Sequence, residues 1–313
     1  MGRRTTAAML ATLAVATVFG APAPALAWQS AGHAIVGQTA AYLLARDGID
    51  FMGPAAIALG YYNIVPDSLW KKDAATAERE LPEHWIDLGQ FPDSLGSTPW
   101  HAERRRYLRE GTRDAAATFP AGAAPWRIAE LDRRLQQLAV SLGRPPNPAQ
   151  HRADQDRWLV TAGLLGHYVA DLGMPLHVTA NHDGQLTGQP GLHSFIEGSV
   201  VNALMPELAV AVFAEAQRRW PAFAARHRDS DAFALALDLG RDSLAELPLL
   251  LRLDREVRRA DVAAASAHLR AHVIDRLATA SLYLAAIWHR RLGWKGADGW
   301  HEIVPAPRFI EPG

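Results

Sequence analysis

Two histidine-carboxylate pairs four residues apart stand close together in this chain: His167 with Asp171, and His193 with Glu197. On a helix, side chains at that spacing project from one face, so each pair can aim an imidazole and a carboxylate at one point. His177 lies on the connection between the pairs. Imidazole nitrogen and carboxylate oxygen are zinc ligands, and helices that carry them can assemble a site for several ions. The chemistry this predicts is metal-assisted hydrolysis. Without metal, the same residues read as buried His-Asp hydrogen bonds, and Glu197 reads as a solvated helix residue. His167 sits in Leu164-Leu165-Gly166-His167-Tyr168-Val169, an apolar face on which an imidazole and a nearby carboxylate are costly unless paired or metal-bound.

Four further residues join this set through their order along the chain. Arg3 and Arg4, the apolar run Ala7 to Phe19 and the small-x-small end Ala25-Leu26-Ala27 read as an export signal, with a retained anchor as the alternative. Cleavage after Ala27 takes 27 of 313 residues and makes Trp28 the first residue of a 286-residue domain spanning 28–313, destined for the periplasm or the exterior. The freed amino group and carbonyl of Trp28 can chelate a metal, with His33 as a third donor. Taken alone, Trp28 reads as the first ordered aromatic and His33 as a surface histidine. Asp67, after Pro66, reads alone as an N-cap, and His84, before Trp85, as an exposed histidine.

The ordered set Trp28, His33, Asp67, His84, His167, Asp171, His177, His193 and Glu197 resembles the trinuclear-zinc superfamily of bacterial zinc-dependent phospholipases C and the single-strand-specific nucleases known as S-one and P-one. The run HYVADLGMPLH, read as H-Y-x-x-D-x-x-x-P-x-H, carries most of the resemblance. It implies an all-α, single multi-helix domain with a trinuclear zinc cleft between helices. The first zinc would be held by Asp67, His84, His167 and Asp171, and the second by His177, His193 and Glu197. The third would take the amino group and carbonyl of Trp28 with His33, Asp171 bridging the first and third. Water activated between the ions would attack phosphorus, and Asp67 is the candidate to orient or deprotonate it.

The substrate follows less directly. Glu197 at the end of HSFIE and the fifteen residues between His177 and His193 look like the phospholipase branch. The short spacing from Trp28 to His33 looks like the nuclease branch. Ala31 and Ser68 stand where the phospholipases carry an acid and a tyrosine around a choline headgroup. The expected substrate is a phospholipid headgroup, with peripheral membrane contact, or single-stranded DNA or RNA. A nuclease needs an aromatic slot for a base, for which Tyr61, Tyr62, Trp85 and Phe195 are candidates. A reading from another class is a non-catalytic secreted metal-binding helical protein. No protein partner is implied.

The elements that must position these residues are helical. In the last long segment Val262, Leu269, Val273, Leu277, Ser281, Leu284 and Trp288 form an apolar stripe, with the Arg and His residues between them expected to face away. Similar stripes run through 31–46, 126–142, 158–172, 192–218 and 233–251. Pro175 should close the helix bearing His167 and Asp171. Asn181 to Gly184 should turn, and 143–148 should join two helices. His182, His268, His272 and His289 are expected at the surface or at caps, with His182 bordering the cleft. No cysteine is present, so packing and any bound metal must supply stability. Losing Arg3 and Arg4 lowers the basic residues from 32 to 30 against 33 acidic ones, which moves the formal charge from −1 to −3. No global positive charge advertises nucleic-acid binding.

Overall fold

The computed structural model describes residues 28–110, 121–143 and 147–290. The expected export signal at 1–27 lies outside the described residues. The described elements are helices, and the one β-bridge among them pairs Ile86 with Gly122. In chain order they are α1 (Gln29–Arg46), α2 (Met52–Asn63), α3 (Val65–Ser68), α4 (Ala74–Glu80), α5 (Arg104–Glu110), α6 (Ala124–Gly143), α7 (Pro148–Leu172), α8 (Leu192–Leu204), α9 (Glu207–Arg226), α10 (Ala232–Arg255) and α11 (Val262–Arg290). Short 3-10 turns occupy several of the connections. The architecture is all-α, and among the described residues no single helix is long and apolar enough to cross a membrane.

Helix α7 is the axis of the fold, with α1, α2, α6 and α11 packed around it. The Asn147 side chain caps its start by accepting from the Gln150 amide at 2.9 Å, and Pro148 takes a first-turn position that needs no donor. From Ala162 to Leu172 every residue is buried, as expected of a helix covered on all sides. Fully buried leucines such as Leu165 and Leu172 contribute about 1.5–3 kcal/mol each. That burial offsets the cost of placing His167 and Asp171 in the same stretch. The helix stops where expected: Met174, ahead of Pro175, is extended, and Pro175–Val178 forms a 3-10 turn. Close approach is built in at Gly163, where a Cβ would come within 2.3 Å of the Tyr62 Cβ, so the end of α2 rests directly on α7.

Two sequence expectations give way. The single stripe expected over 192–218 is divided: α8 contains a π-helical turn, Phe195–Val200, and the chain bends by 98° before α9. Pro206 lies at the bend and has no amide hydrogen with which to continue the helix. In α11, Arg276 and His272 do not face away but are buried. The helix is flanked by α1, α7, α8, α9 and α10, so it lacks a free side along this stretch. Arg276 is neutralised there by Asp242 and Asp275, each at 2.8 Å. Burial, then the charge of Arg276, lowers the His272 pKa to about 4.

Candidate metal centre

His33 comes from α1, Asp67 from α3, and His167 and Asp171 from α7. His84 closes the 3-10 turn Leu81–His84, and His177 lies in the turn after α7. His193 and Glu197 lie on α8. All eight converge beneath one cleft. Asp67 is not the N-cap it resembles alone, because it lies inside a four-residue helix that also holds Pro66. His33 and His84 are not exposed histidines either, at 0% and 2% exposure.

Backbone contacts explain why distant segments meet here. The segment around His84 is held by Ala123 N to Pro82 O at 2.7 Å, Asp87 N to Ala121 O at 2.6 Å and Ile86 N to His177 O at 2.9 Å. Gly122, at φ +85°, is required at this junction: a Cβ there would fall 2.1 Å from the Trp85 carbonyl oxygen. On the opposite side Asn63 ties α1, α2 and α7 together. Its amide donates to the His33 carbonyl at 2.6 Å, and its own backbone carbonyl accepts from His167 Nδ1 at 2.8 Å.

The side chains form three groups of potential ligands: His33, Asp67 and His167; His84, His167 and Asp171; and His177, His193 and Glu197. In the first expected centre, Asp171 Oδ2 lies 2.9 Å from His84 Nδ1 and 3.3 Å from His167 Nε2. Those two nitrogens are 3.0 Å apart, and Asp67 Oδ1 is 3.7 Å from His167 Nε2 and 3.9 Å from His84 Nδ1. Four donors at about 2.0–2.2 Å from a tetrahedral ion would be separated by about 3.3–3.6 Å, within this spread. In the second, His193 Nε2 is 2.7 Å from Glu197 Oε2 and 3.0 Å from His177 Nε2, and His177 Nε2 is 3.6 Å from Glu197 Oε1. The i,i+4 pairing of His193 and Glu197 survives the π-helical turn. For the third, His33 Nε2 lies 3.6 Å from Asp171 Oδ1 and 3.8 Å from Asp67 Oδ2, and its ring stacks on His167 at 4.0 Å. Trp28 anchors beside this group: its indole donates to the Ala170 carbonyl at 2.9 Å, and its own carbonyl accepts from Gly32 N at 2.9 Å.

Protein hydrogen bonds alone do not balance this arrangement. A carbonyl only accepts, so His167 must carry its hydrogen on Nδ1 towards Asn63 O, and His177 on Nδ1 towards His84 O at 2.6 Å. Both rings then present bare Nε2 lone pairs inward, the orientation that outer-shell carbonyls impose on metal-bound histidines. Both nitrogens of His33, Asp67 Oδ2, Asp171 Oδ1 and Glu197 Oε1 are buried without a hydrogen-bond partner. An excess of inward acceptors over donors is what cations satisfy. Burial is the main cause that lowers His33, His84 and His167 well below the usual histidine range, so all three are neutral at pH 7 and able to ligate. Asp171 is pushed well above the usual carboxylate range by burial and then by the Asp67 charge, a cost that a bound cation would remove. The donor set therefore fits metal ions, and the His-Asp hydrogen-bond reading leaves too many acceptors unmatched.

Above these groups opens a cleft of about 910 Å³ whose walls include Lys71, Leu81, Trp85, Asp87, Leu176, His182 and Asp183. His182 borders it as expected. Of the four candidate slot aromatics only Trp85 lines it: Phe195 is buried, and Tyr61 and Tyr62 pack edge to face on each other. Glu197 is 1% exposed and so is not a solvated helix residue.

Three residues of the site carry no ligand-like signature in the sequence. Asn63 fixes His167. Lys71 forms an i,i+4 ion pair with Asp67 Oδ1, a spacing legible in the sequence. Asp183 accepts from the amides of Gly191 at 2.8 Å and His193 at 3.2 Å, holding the start of α8 from eight to ten residues away. Comparison of the chain with protein-family models, curated proteins and solved structures found no match.

Proposed function

We propose that this chain is an exported, zinc-dependent phosphoric diester hydrolase that acts on a phospholipid-like substrate, with three zinc ions in the groups described above. The observation that carries this reading is the convergence of eight imidazoles and carboxylates, seven of them buried and His193 half-buried, under an open cleft with inward acceptors in excess of donors. Neutral nitrogen and carboxylate donors suit zinc as a borderline metal, and shared carboxylates suit a cluster better than a closed structural site. When bound, the ions would supply a water acidic enough to attack phosphorus near neutral pH and positive charge against the phosphoryl oxygens.

The protein's own groups have assignable tasks. The carbonyls of Asn63 and His84 hold His167 and His177 in the ligating tautomer, and Asp183 holds the backbone of His193. Asp171 faces His33 with one oxygen and His84 and His167 with the other, the position of a bridging ligand between the first and third centres. Asp67 likewise faces His33 with Oδ2 and His167 with Oδ1, and with ions bound its carboxylate would be the group to orient and deprotonate an attacking water. Trp28 complements the third centre if export frees its amino group.

The cleft walls favour a lipid over a nucleic acid. Lys71 is the single Lys or Arg among the described residues that line it, beside Asp87 and Asp183. A polynucleotide needs a track of cations and stacked aromatics along its backbone. Leu81 and Trp85 instead offer apolar surface beside the metal ligands, as a headgroup attached to an acyl glycerol requires. The test is zinc analysis of the secreted protein with parallel assays of headgroup release from phosphatidylcholine vesicles and cleavage of single-stranded DNA and RNA. About three zinc ions with lipid turnover is the expected result. Cleavage of nucleic acid alone would overturn the substrate, and tight zinc without phosphoesterase turnover would support the structural reading.

A further inference from the structure

The two best-defined ligand groups differ in one respect unrelated to their donors. The group around Asp67 contains a resident cation: Lys71, one helical turn on, places its ammonium against Asp67 Oδ1, the oxygen that also faces His84 and His167. The group of His177, His193 and Glu197 has no lysine or arginine among its ion pairs with described residues. Lys71 lies in the 3-10 turn Trp70–Lys72, lines the cleft, and keeps 24% of its side chain exposed, so its flexible stem can carry the ammonium off Asp67 without unpacking the core. Asp67 has no such freedom, since it is 4% exposed within a short helix that also holds Pro66.

We infer that Lys71 is a built-in competitor for the metal at Asp67: its ammonium neutralises this carboxylate in the metal-free protein and must be displaced when an ion binds there, so that the His177-His193-Glu197 centre fills first and the Asp67 centre last and more weakly. The inference rests on the zinc reading above. Its physical basis is that an ammonium and a divalent ion cannot both sit against one carboxylate oxygen without repelling each other at short range. The consequence is graded loading: at limiting metal the protein holds the ion that cannot complete the cluster, and the Asp67 centre forms only when metal is in excess. A second consequence is that the buried Asp67 keeps a counter-charge when no metal is present.

The test is stepwise zinc titration of the protein after chelator treatment, for the unaltered protein, Lys71→Met, Lys71→Gln and Lys71→Arg, with competing chelators to resolve the individual affinities. The unaltered protein should show one tighter and at least one weaker step. In Lys71→Met and Lys71→Gln the weaker step should tighten by about tenfold or more while the tight step is unchanged, as removal of a close like charge requires. Lys71→Arg should keep the weaker step weak. Thermal unfolding of the chelated protein supplies a second readout: Lys71→Met should unfold at lower temperature than the unaltered protein, and zinc in excess should reverse that order. Weak-step affinities equal to or below those of the unaltered protein in both neutral variants would overturn the inference while leaving the zinc reading standing. Absence of zinc binding by the unaltered protein would overturn both.

Discussion

Replacing Asp171 with Asn is expected to change stability in opposite directions with and without metal. Asp171 is fully buried. Its Oδ2 faces His84 and His167 at 2.9 and 3.3 Å, and its Oδ1 faces His33 and His177 at 3.6 and 3.7 Å without a hydrogen bond. In the metal-free protein, burial and then the Asp67 charge raise its pKa above the unfolded value. The folded state thus holds this proton more tightly than the unfolded chain, and stability falls as pH rises past the ordinary carboxylate range. At pH 8 the neutral, isosteric amide should therefore stabilise the chelated protein by about 1–3 kcal/mol. With zinc the sign reverses. Free zinc at about 1,000 times its Kd contributes about 4 kcal/mol per centre. On the proposed assignment Asp171 would serve two centres, and loss of a direct ligand should exceed the about 10–100-fold lost with an outer-shell partner. At about a hundredfold each, the two centres together lose about 5 kcal/mol. Urea unfolding of both proteins at pH 8, once after chelation and once at fixed free zinc, measures both effects. An Asp171→Asn variant less stable than the parent after chelation, or equally stable with zinc, would refute the reasoning.

Three further outcomes are expected. Asp183→Ala removes the acceptor for the Gly191 and His193 amides and should lower zinc content from three to two through the His193 centre, with little change in helix content by circular dichroism; retention of three would show that the loop holds itself. Burial lowers His193, but the charge and hydrogen bond of Glu197, with Asp183 and the His182 backbone, together raise it; burial raises Glu197, but the combined charges and hydrogen bonds of His193 and His177 hold it well below the usual carboxylate range. In the metal-free protein this pair stabilises most between the ordinary values of 4.5 and 6.5, and its contribution fades as pH rises through the elevated His193 value. Glu197→Gln should thus cost about 1–3 kcal/mol more at pH 5.5 than at pH 8.5 in urea unfolding of the chelated protein, and an equal cost at both would contradict the pairing. Retaining one residue ahead of Trp28 blocks its amino group and should remove one zinc and depress turnover, whereas undiminished zinc and activity would exclude that chelate.

Spacing along the chain was enough for much of this centre. Helical periodicity and the absence of alternating segments implied an all-α domain, and Pro175 marked the end of α7. The i,i+4 pairs at 167/171 and 193/197 keep their imidazole and carboxylate together because that proximity is local, fixed by one turn of helix whatever surrounds it. His33, Asp67 and His84 are different. Each reads alone as a surface or capping residue, and only their order argues otherwise, since whether an imidazole is buried depends on what other segments cover it.

Those other segments were decided in three dimensions. Lys71 stands four residues after Asp67 but this spacing alone does not say that the pair is part of the cluster, Asp183 is an ordinary loop residue, and Asn63 acts partly through its backbone carbonyl, which any residue possesses. Tyr61, Tyr62 and Phe195 were as plausible for a cleft wall as Trp85 until packing turned them elsewhere. The break in α8 and α9 and the burial of His272 and Arg276 likewise follow from which helices surround which. Local spacing can bring two ligands to one face of a helix, but convergence of eight from α1, α3, α7, α8 and two connecting turns is a property of packing. Gly122 and Gly163 admit the close approaches, Asn63 joins three helices, and the buried length of α7 supplies the stability that holds these buried carboxylates in place.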